Sequence, residues 1–344
     1  MSQSNLKLLA VVILGWNGKK YLEQFLHSVV SNSQGDGVEV VYADNDSTDD
    51  SVTYVSNNFP SVRIIRNKTN SGFAQGYNEA LKQIDAKYFL LLNQDVEVTE
   101  NWLQPLIALM ESNPNIAAVQ PKLRAFHERD EFEYAGASGG HIDFLGYPFC
   151  RGRLFDSVEQ DNGQYDDIAP IFWASGAAMM VREDLFDQVG GLDADFFAHQ
   201  EEIDLCWRLQ NAGYELYVVP QSVVYHVGGG SLPQGNPRKT YLNFRNNLFL
   251  LLKNLPAFTL VWVLPFRILL DCLAAFYSVI KNKNLIDAKA ILKAHFHFIK
   301  DFRKMFAKRK LTKPSVPGIV FGGSVIFQYF VKGKNAFSEL QKTI

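Results

Sequence analysis

Tyr88-Phe89-Leu90-Leu91-Leu92-Asn93-Gln94-Asp95 is an apolar run that turns polar within three positions. Large apolar residues without alternation describe a strand buried on both faces, as found inside a parallel sheet covered by helices on each side. The polar residues then fall at the strand's carboxyl end. Side chains alternate along an extended chain, so Asn93 and Asp95 project to the same side. Ligands of open parallel sheets bind at the carboxyl ends of the strands. This one stretch therefore sets both the fold class and the place to look for chemistry.

Reading back toward the N-terminus, strand and helix patterns alternate. Strands are predicted at Leu8–Leu14, Val38–Tyr42 and Val62–Ile65, and helices at Lys19–Asn32, Asp49–Phe59 and Phe73–Ile84. This order predicts an α/β fold with a mainly parallel central sheet. Its strand ends present Trp16 and Asn17, Asp44 to Asp46, and Asn93 to Asp95. Leu8–Leu14 is too short for a secretory core and lacks a small-residue cleavage site, so it reads as a first strand.

Reading forward, Leu123 to Ala169 is rich in Gly, Asp and aromatics without a clear period, an excursion expected near an acceptor. Regular structure resumes at Phe172–Val181, with a helix at Ile203–Ala212 and strands at Leu216–Val219 and Val223–His226 before the loop Gly228 to Ser231. The boundary is drawn at 240: a catalytic domain over residues 1–240, and a basic, apolar helical region over 241–344.

Hydrophobic residues make up 47% of the chain and charged ones 20%, which excludes global disorder. Cys150, Cys206 and Cys272 form no C-x-x-C pair, which favours a reducing, cytoplasmic compartment over a disulfide or zinc framework.

Four segments carry chemistry. In Asp44-Asn45-Asp46-Ser47-Thr48-Asp49, an Asp at a strand end can accept the ring N–H of uracil or thymine, while Ser47 or Thr48 can cap the next helix. In Asn70-Ser71-Gly72-Phe73-Ala74-Gln75-Gly76-Tyr77-Asn78, small residues let backbone approach a ribose or phosphate, and the amides of Asn70 and Asn78 can bind hydroxyls. Asp95 can supply an oxygen ligand to Mg2+ or Mn2+ already held by a diphosphate. In Phe196 to Arg208, Glu201, Glu202 and Asp204 all lie in a first helical turn, where one can serve as base and the others as caps or ion-pair partners. His226 is either a second metal ligand or a structural histidine.

The order of Ile13-Leu14-Gly15-Trp16-Asn17, the Asp44 segment, Asn93 to Asp95, Trp173-Ala174-Ser175-Gly176-Ala177, Glu201 to Arg208 and Tyr225-His226 resembles family 2 glycosyltransferases of the GT-A fold, in particular the bacterial rhamnosyltransferase-like subgroup. The resemblance spans about residues 8 to 250. It implies inversion, a nucleotide-sugar donor (dTDP-rhamnose, or another dTDP- or UDP-sugar), a divalent cation, and a glycan or lipid-linked acceptor in surface-polysaccharide synthesis. It implies that Trp16 and Asp44 hold the base, with Asn17, Asp46, Asn70, Gly72, Asn78, Asn93, Ser175 and Gly176 completing the donor site. Asp95 and His226 would hold the metal. Glu202 would stand where the family has an Asp base, with Glu201 as its rival; Asn93 replaces the first acid of a D-x-D motif. The Q-x-x-R-W motif of processive synthases is missing, so one residue is transferred. The other readings are a nucleotide-sugar-binding module without catalysis and a nucleic-acid binder. Retained Asp95, Glu202 and His226 argue against the first. The acidic body argues against the second, as does the lack of a nucleic-acid-reading motif.

Net charge is −2, yet Leu251 onward holds 16 Lys/Arg against 4 Asp/Glu, and Lys281–Lys313 alone holds 11 against 2. Phe258–Ile280 is long enough to span a membrane. Its thirteen Leu, Ile, Val and Phe contribute about −4 to −8 kcal/mol, and Arg267 with Asp271 costs about +5 to +7. With Pro265 interrupting it, the segment is expected to lie along an anionic membrane surface, at the inner face of the cytoplasmic membrane, or to form an oligomer contact. Arg267, Asp271, Ala274 and Ser278 form its polar or small stripe. Val316–Val331 is a second candidate contact.

Overall fold

The computed structural model describes residues 6–228, 235–281 and 283–341. The first half alternates as its apolar runs dictate: β1 (Lys7–Gly15), α1 (Lys19–Asn32), β2 (Val38–Asp44), α2 (Ser51–Asn58), β3 (Arg63–Arg66), α3 (Gly72–Leu81), β4 (Ala86–Asn93), β5 (Val96–Val98), α4 (Leu103–Ser112) and β6 (Ile116–Ala125). Short strands β7 (Gly140–Ile142), β8 (Pro148–Cys150), β9 (Arg153–Leu154), β10 (Ser157–Val158) and β11 (Ala169–Pro170) follow, then β12 (Ala178–Arg182), α5 (Glu183–Gln188), α6 (Glu201–Asn211) and β13 (Glu215–His226). Helices close the chain: α7 (Pro237–Asn254), α8 (Ala257–Ile280), α9 (Leu285–Ala307), α10 (Arg309–Thr312) and α11 (Phe337–Gln341).

The main sheet runs β11-β13-β6-β12-β4-β1-β2-β3, with β5 paired to β13. Its parallel ladders join β1 with β2 and β4, β2 with β3, and β6 with β13; β12 enters antiparallel between β4 and β6. Alternation divides each central strand between two cores. Ala10, Val12, Phe89 and Leu91 face one, while Leu9, Val11, Ile13, Leu90 and Leu92 face the other. The apolar run that defines β4 is needed because both faces are covered.

The aperiodic stretch after residue 123 is more ordered than its sequence suggests. It contains a four-stranded sheet, β10-β9-β8-β7, whose two- and three-residue strands are too short to leave a period. Where regular structure is expected to resume at Phe172–Val181, the strand β12 begins at Ala178 and extends to Arg182. The expected strands Leu216–Val219 and Val223–His226 are one strand, β13, with an irregularity between Val219 and Val223. Of the loop read at Gly228 to Ser231, only Gly228 lies within the described residues.

The boundary drawn at 240 falls inside α7. Leu248 to Leu252 are buried in the same core as Phe172, Trp207 and Leu216. Lys253 donates to Asp193 (2.6 Å) and Asp204 (2.7 Å), and Arg208 and Asn254 also donate to Asp204, each at 2.9 Å. Burial opposes ionisation of Asp204, but Lys253 and Arg208 hold its carboxyl below the usual range. Asp204 is thus an interior ion-pair partner and is not available as a base. Removing one partner of such a cluster strands a buried charge at about 3–5 kcal/mol. Asp204→Ala is expected to lose stability on that scale in urea unfolding, and unchanged unfolding would remove this cluster as the tie between α6 and α7.

Candidate active site

In the parallel ladders Gly15 pairs with Asp44 and Leu14 with Asn93. The ends of β4, β1 and β2 therefore lie side by side, and with strands spaced about 4.8 Å apart Asp44 and Asn93 stand roughly 10 Å from one another. Trp16 is half-exposed beside this edge, Asp44 is buried, and Asp46 is exposed with φ 65°.

The polar residues of this edge differ in how much capacity they retain. The Ser47 N–H lies 3.3 Å from each carboxylate oxygen of Asp44. Asn17 is occupied with the loop: its Oδ1 accepts from Thr48 N (2.7 Å) and Asp49 N (3.3 Å), while its own N–H donates to Ser47 Oγ (3.0 Å). Asn70 Oδ1 accepts from Asn45 Nδ2 and Gly72 N, both at 3.1 Å. Asn78 exchanges two hydrogen bonds with the backbone of Leu192, at 2.7 and 3.0 Å. Asn17, Asn70 and Asn78 are therefore braces of the loops that shape the site. Gly72, with φ 86°, admits no other residue: a Cβ there would lie 2.6 Å from Phe197.

A second cluster gathers beside it. His226 Nε2 lies 3.2 Å from Asp95 Oδ1 and 3.3 Å from Asn93 Nδ2, and its Nδ1 lies 3.2 Å from Glu133 Oε1. Glu133 is held in turn by the backbone N–H of Ala135, at 2.6 Å. Burial opposes protonation of His226, but the Asp95 and Glu133 carboxylates outweigh it and push the ring up to about 10. Burial likewise opposes ionisation of Asp95, and His226 holds it below the usual range. Asp95 is a ready oxygen ligand for a divalent cation, whereas the His226 ring, protonated between two carboxylates, would have to release its Nε2 proton before it could join. Among the described residues no group of three such side chains is placed to hold a metal ion, so a cation bound here would draw its other ligands from substrate oxygens and water.

The acidic turn is the third element of the site. Glu201 and Glu202 begin α6, and the residues leading in, Phe197, His199 and Gln200, have φ of 67°, 70° and 69°. Such left-handed backbone costs energy in residues other than glycine and persists only when its surroundings hold it. Here α7 holds it. Asn246 Nδ2 lies 3.0, 2.9 and 2.7 Å from the carbonyl oxygens of Phe196, Ala198 and His199, and Arg245 donates to those of Asp195 and Phe196. Gln200 and Asn247 are joined at 3.1 Å.

The two glutamates are not equivalent. Glu201 is buried, and burial with the neighbouring Glu202 pushes its carboxyl well above the usual range. Glu202 is half-buried, and burial pushes it up to about 7. Oε2 of each is buried without a hydrogen-bond partner. A Cβ on Gly176 would lie 3.8 Å from that of Glu202, and Asn93 N donates to the carbonyl of Ala177, the next residue (3.0 Å). Glu202 is thereby linked through two residues of chain to the Asn93–Asp95–His226 cluster. Ser175 anchors the same turn: its Oγ donates to Ala135 O (2.6 Å), two residues beyond Glu133.

Sequence reasoning missed Glu133, Asn246, Lys239 and Gln94. Glu133 lies in the aperiodic stretch, where its place between Phe132 and Tyr134 is the only hint of burial. Lys239, half-buried, feels both His199 and Glu133. Gln94 Oε1 is buried without a partner in space that a Cβ on Gly18 would fill.

A sequence profile described as Glycosyl transferase family 2 matches residues 10–190. The N-acetylglucosaminyl-diphospho-decaprenol L-rhamnosyltransferase of Mycobacterium tuberculosis is 28% identical over 237 residues, covering 64% of this chain and 76% of that protein. The rhamnosyltransferase WbbL of Escherichia coli K12 is 27% identical over 162 residues, covering 46% and 59%. Among solved structures, Staphylococcus aureus TarS 1–349 aligns with TM-score 0.55 and 14% identity over 95% of this chain and 92% of its own. GalNAc-T7 with UDP, GalNAc and Mn2+ aligns with TM-score 0.60 and 16% identity over 88% of this chain and 59% of its own, a likeness of fold.

Asn246→Ala leaves three carbonyls of the strained loop without their donor, an expected loss of about 1–3 kcal/mol. Urea unfolding should register it, with faster protease cleavage at 197–200; an unchanged variant would mean that the loop holds itself.

Proposed function

The chain belongs to glycosyl transferase family 2 and has the GT-A fold, and on that premise we propose that it moves one sugar, with inversion, from a nucleoside diphosphate to a hydroxyl acceptor. The observation that carries this reading is the place of Glu202: a Cβ on Gly176 would lie 3.8 Å from its own, the next residue, Ala177, accepts from Asn93 N, and its Oε2 is buried without a hydrogen-bond partner in surroundings that push the carboxyl up to about 7. A general base works best with a pKa near the working pH.

Asp44 and Trp16 take the pyrimidine base at the ends of β1 and β2. Asp95, with His226 once its Nε2 proton is released, would hold the divalent cation, Mg2+ or Mn2+, which would supply positive charge against the departing diphosphate. Glu133 fixes the His226 ring so that Nε2 faces Asp95. Glu202 takes the proton of the acceptor hydroxyl as its oxygen attacks the anomeric carbon from the face opposite the diphosphate. The bond to the diphosphate breaks as the new glycosidic bond forms. Ser175 and Gly176 keep the wall beside Glu202 thin.

The rhamnosyltransferase names among the relatives support a dTDP-rhamnose donor, with other dTDP- and UDP-sugars as the competing choice. The decaprenol-linked acceptor in one of those names supports a glycan or lipid-linked acceptor in surface-polysaccharide synthesis, met at the cytoplasmic face of the membrane.

Glu202→Gln is expected to bind donor normally and to lose about 10²–10⁴-fold in turnover. In the unsubstituted enzyme kcat/KM should rise with pH and level off above about 7, because the base acts deprotonated; that limb should vanish in the variant. Normal turnover of Glu202→Gln would transfer the role to Glu201. Asp95→Ala should abolish the Mn2+-dependent part of nucleotide binding in calorimetry with and without EDTA. Binding that ignores EDTA in the unsubstituted protein would remove the metal, and donor binding without turnover would favour a module that only recognises the nucleotide sugar.

A further inference from the structure

Helix α8 is built inside out. Its buried positions are Leu260, Val263, Arg267, Asp271, Ala275 and Ser278, so the stripe turned toward the protein carries both of its charges. Ala275, rather than the expected Ala274, occupies that stripe. Arg267 and Asp271 are 4% and 1% exposed; Arg267 Nε donates to Asp271 Oδ1 at 2.9 Å, its guanidinium lies 3.4 Å over the ring of Tyr147, and His295 of α9 lies 3.2 Å from Asp271 Oδ2. The opposite face repeats at spacings of four and three: Phe258, Trp262, Phe266, Leu269, Leu273, Phe276 and Ile280. All seven are exposed, Phe258 at 87% and Phe276 at 66%. Ordinary amphipathic helices of soluble domains turn the other way.

Helix α9, packed against α8, continues the pattern. Leu292, Phe296 and Ile299 are exposed one turn apart, and Lys289, Lys293, Lys300 and Lys304 follow one flank of that strip at spacings of four, seven and four. Exposed apolar patches on monomers rarely exceed about 600 Å². With aromatic side chains of about 150–250 Å² each, the aromatic and aliphatic residues of these two helices surpass that figure. Among the described residues α8 is the one helix long and apolar enough to cross a membrane. Crossing would drag Arg267 and Asp271 away from Tyr147 and His295 into hydrocarbon. Lying flat leaves those contacts intact and places the lysine flank level with the headgroups.

We propose that the α8–α9 face embeds in the surface of a bilayer containing anionic lipid, with α8 lying in the membrane plane and the Arg267–Asp271–His295 stripe locking it to the catalytic domain. This deepens the reading of a lipid-linked acceptor and rests on it only for its purpose. The physical claim is a binding claim and is tested without any sugar.

The test is sedimentation of the full chain with phosphatidylcholine vesicles, alone or with about a third phosphatidylglycerol. The unsubstituted protein should pellet with the mixed vesicles. Lipids brominated in the acyl chain should quench its tryptophan fluorescence, and Trp262→Phe should remove most of that quenching. Phe258→Glu/Leu273→Glu/Phe276→Glu should abolish pelleting. Lys289→Gln/Lys293→Gln/Lys300→Gln should weaken it by on the order of a hundredfold, from about fivefold per lysine. Both variants should keep transfer to a soluble acceptor analogue, which also shows that they fold. Protein that stays in the supernatant with both vesicle types overturns the proposal. A dimer in solution that the glutamate substitutions dissociate would assign the face to a second copy instead. Absent sugar transfer with intact vesicle binding would sink the transferase reading and leave this one standing.

Discussion

The ammonium of Lys253, buried between Asp193 and Asp204, ties the sheet to everything that follows it. A cation in that position is tolerable only with both carboxylates beside it, so α7 has one seat on the catalytic core. Asp204 is two residues beyond Glu202, and the same ion cluster that seats α7 therefore fixes the first turn of α6. Once seated, α7 presents Arg245 and Asn246 to the carbonyls of residues 195 to 199 and makes the left-handed run into Glu201 affordable. Glu202 and the helix that holds its turn are about forty-five positions apart in sequence. Neither segment would keep this shape alone.

Charge bookkeeping explains a departure from the family pattern at position 93. His226 has a carboxylate at each end of its ring, Asp95 and Glu133. An acid at position 93 would add a third beside one buried imidazole, and like charges gathered out of water raise one another's pKa. Asn93 fills that place without adding a charge. Its neutrality and the presence of Glu133 are two sides of one arrangement, which leaves Asp95 ionised and the ring oriented.

Much of this was legible in the chain because it obeys short periods. Both-face burial wrote β1 and β4 as unbroken apolar runs, and parallel pairing then brought Trp16, Asp44 and Asn93 to one edge. Residue type alone did not assign roles within the acidic turn. Asp204 looked as suitable a base as its neighbours until Lys253 and Arg208 claimed it, and their meeting is a tertiary fact. The loop contacts of Asn17, Asn70 and Asn78 are likewise tertiary: Asn17 Oδ1 accepts from Thr48 and Asp49 N, Asn70 Oδ1 from Asn45 and Gly72, and Asn78 pairs with Leu192. Glu133 sits among strands of two and three residues, too short to record a pattern, so its partnership with His226 left no trace in spacing.

Helix α8 marks a different limit. A period of 3.6 residues separates two faces, and it does not say which one turns inward. Transfer energies treat Arg267 and Asp271 as costs against hydrocarbon, which argues against spanning but is silent about packing. The orientation is decided by partners that only the fold supplies: the Tyr147 ring, His295, and the small sheet that carries Tyr147. Because α7 packs on both α8 and α9 while holding the loop before Glu201, the apolar face and the acidic turn hang from one helix. Displacing either would have to move α7, and α7 is held by the buried Lys253 cluster; the distance between Glu202 and the outer face is therefore a property of the interior.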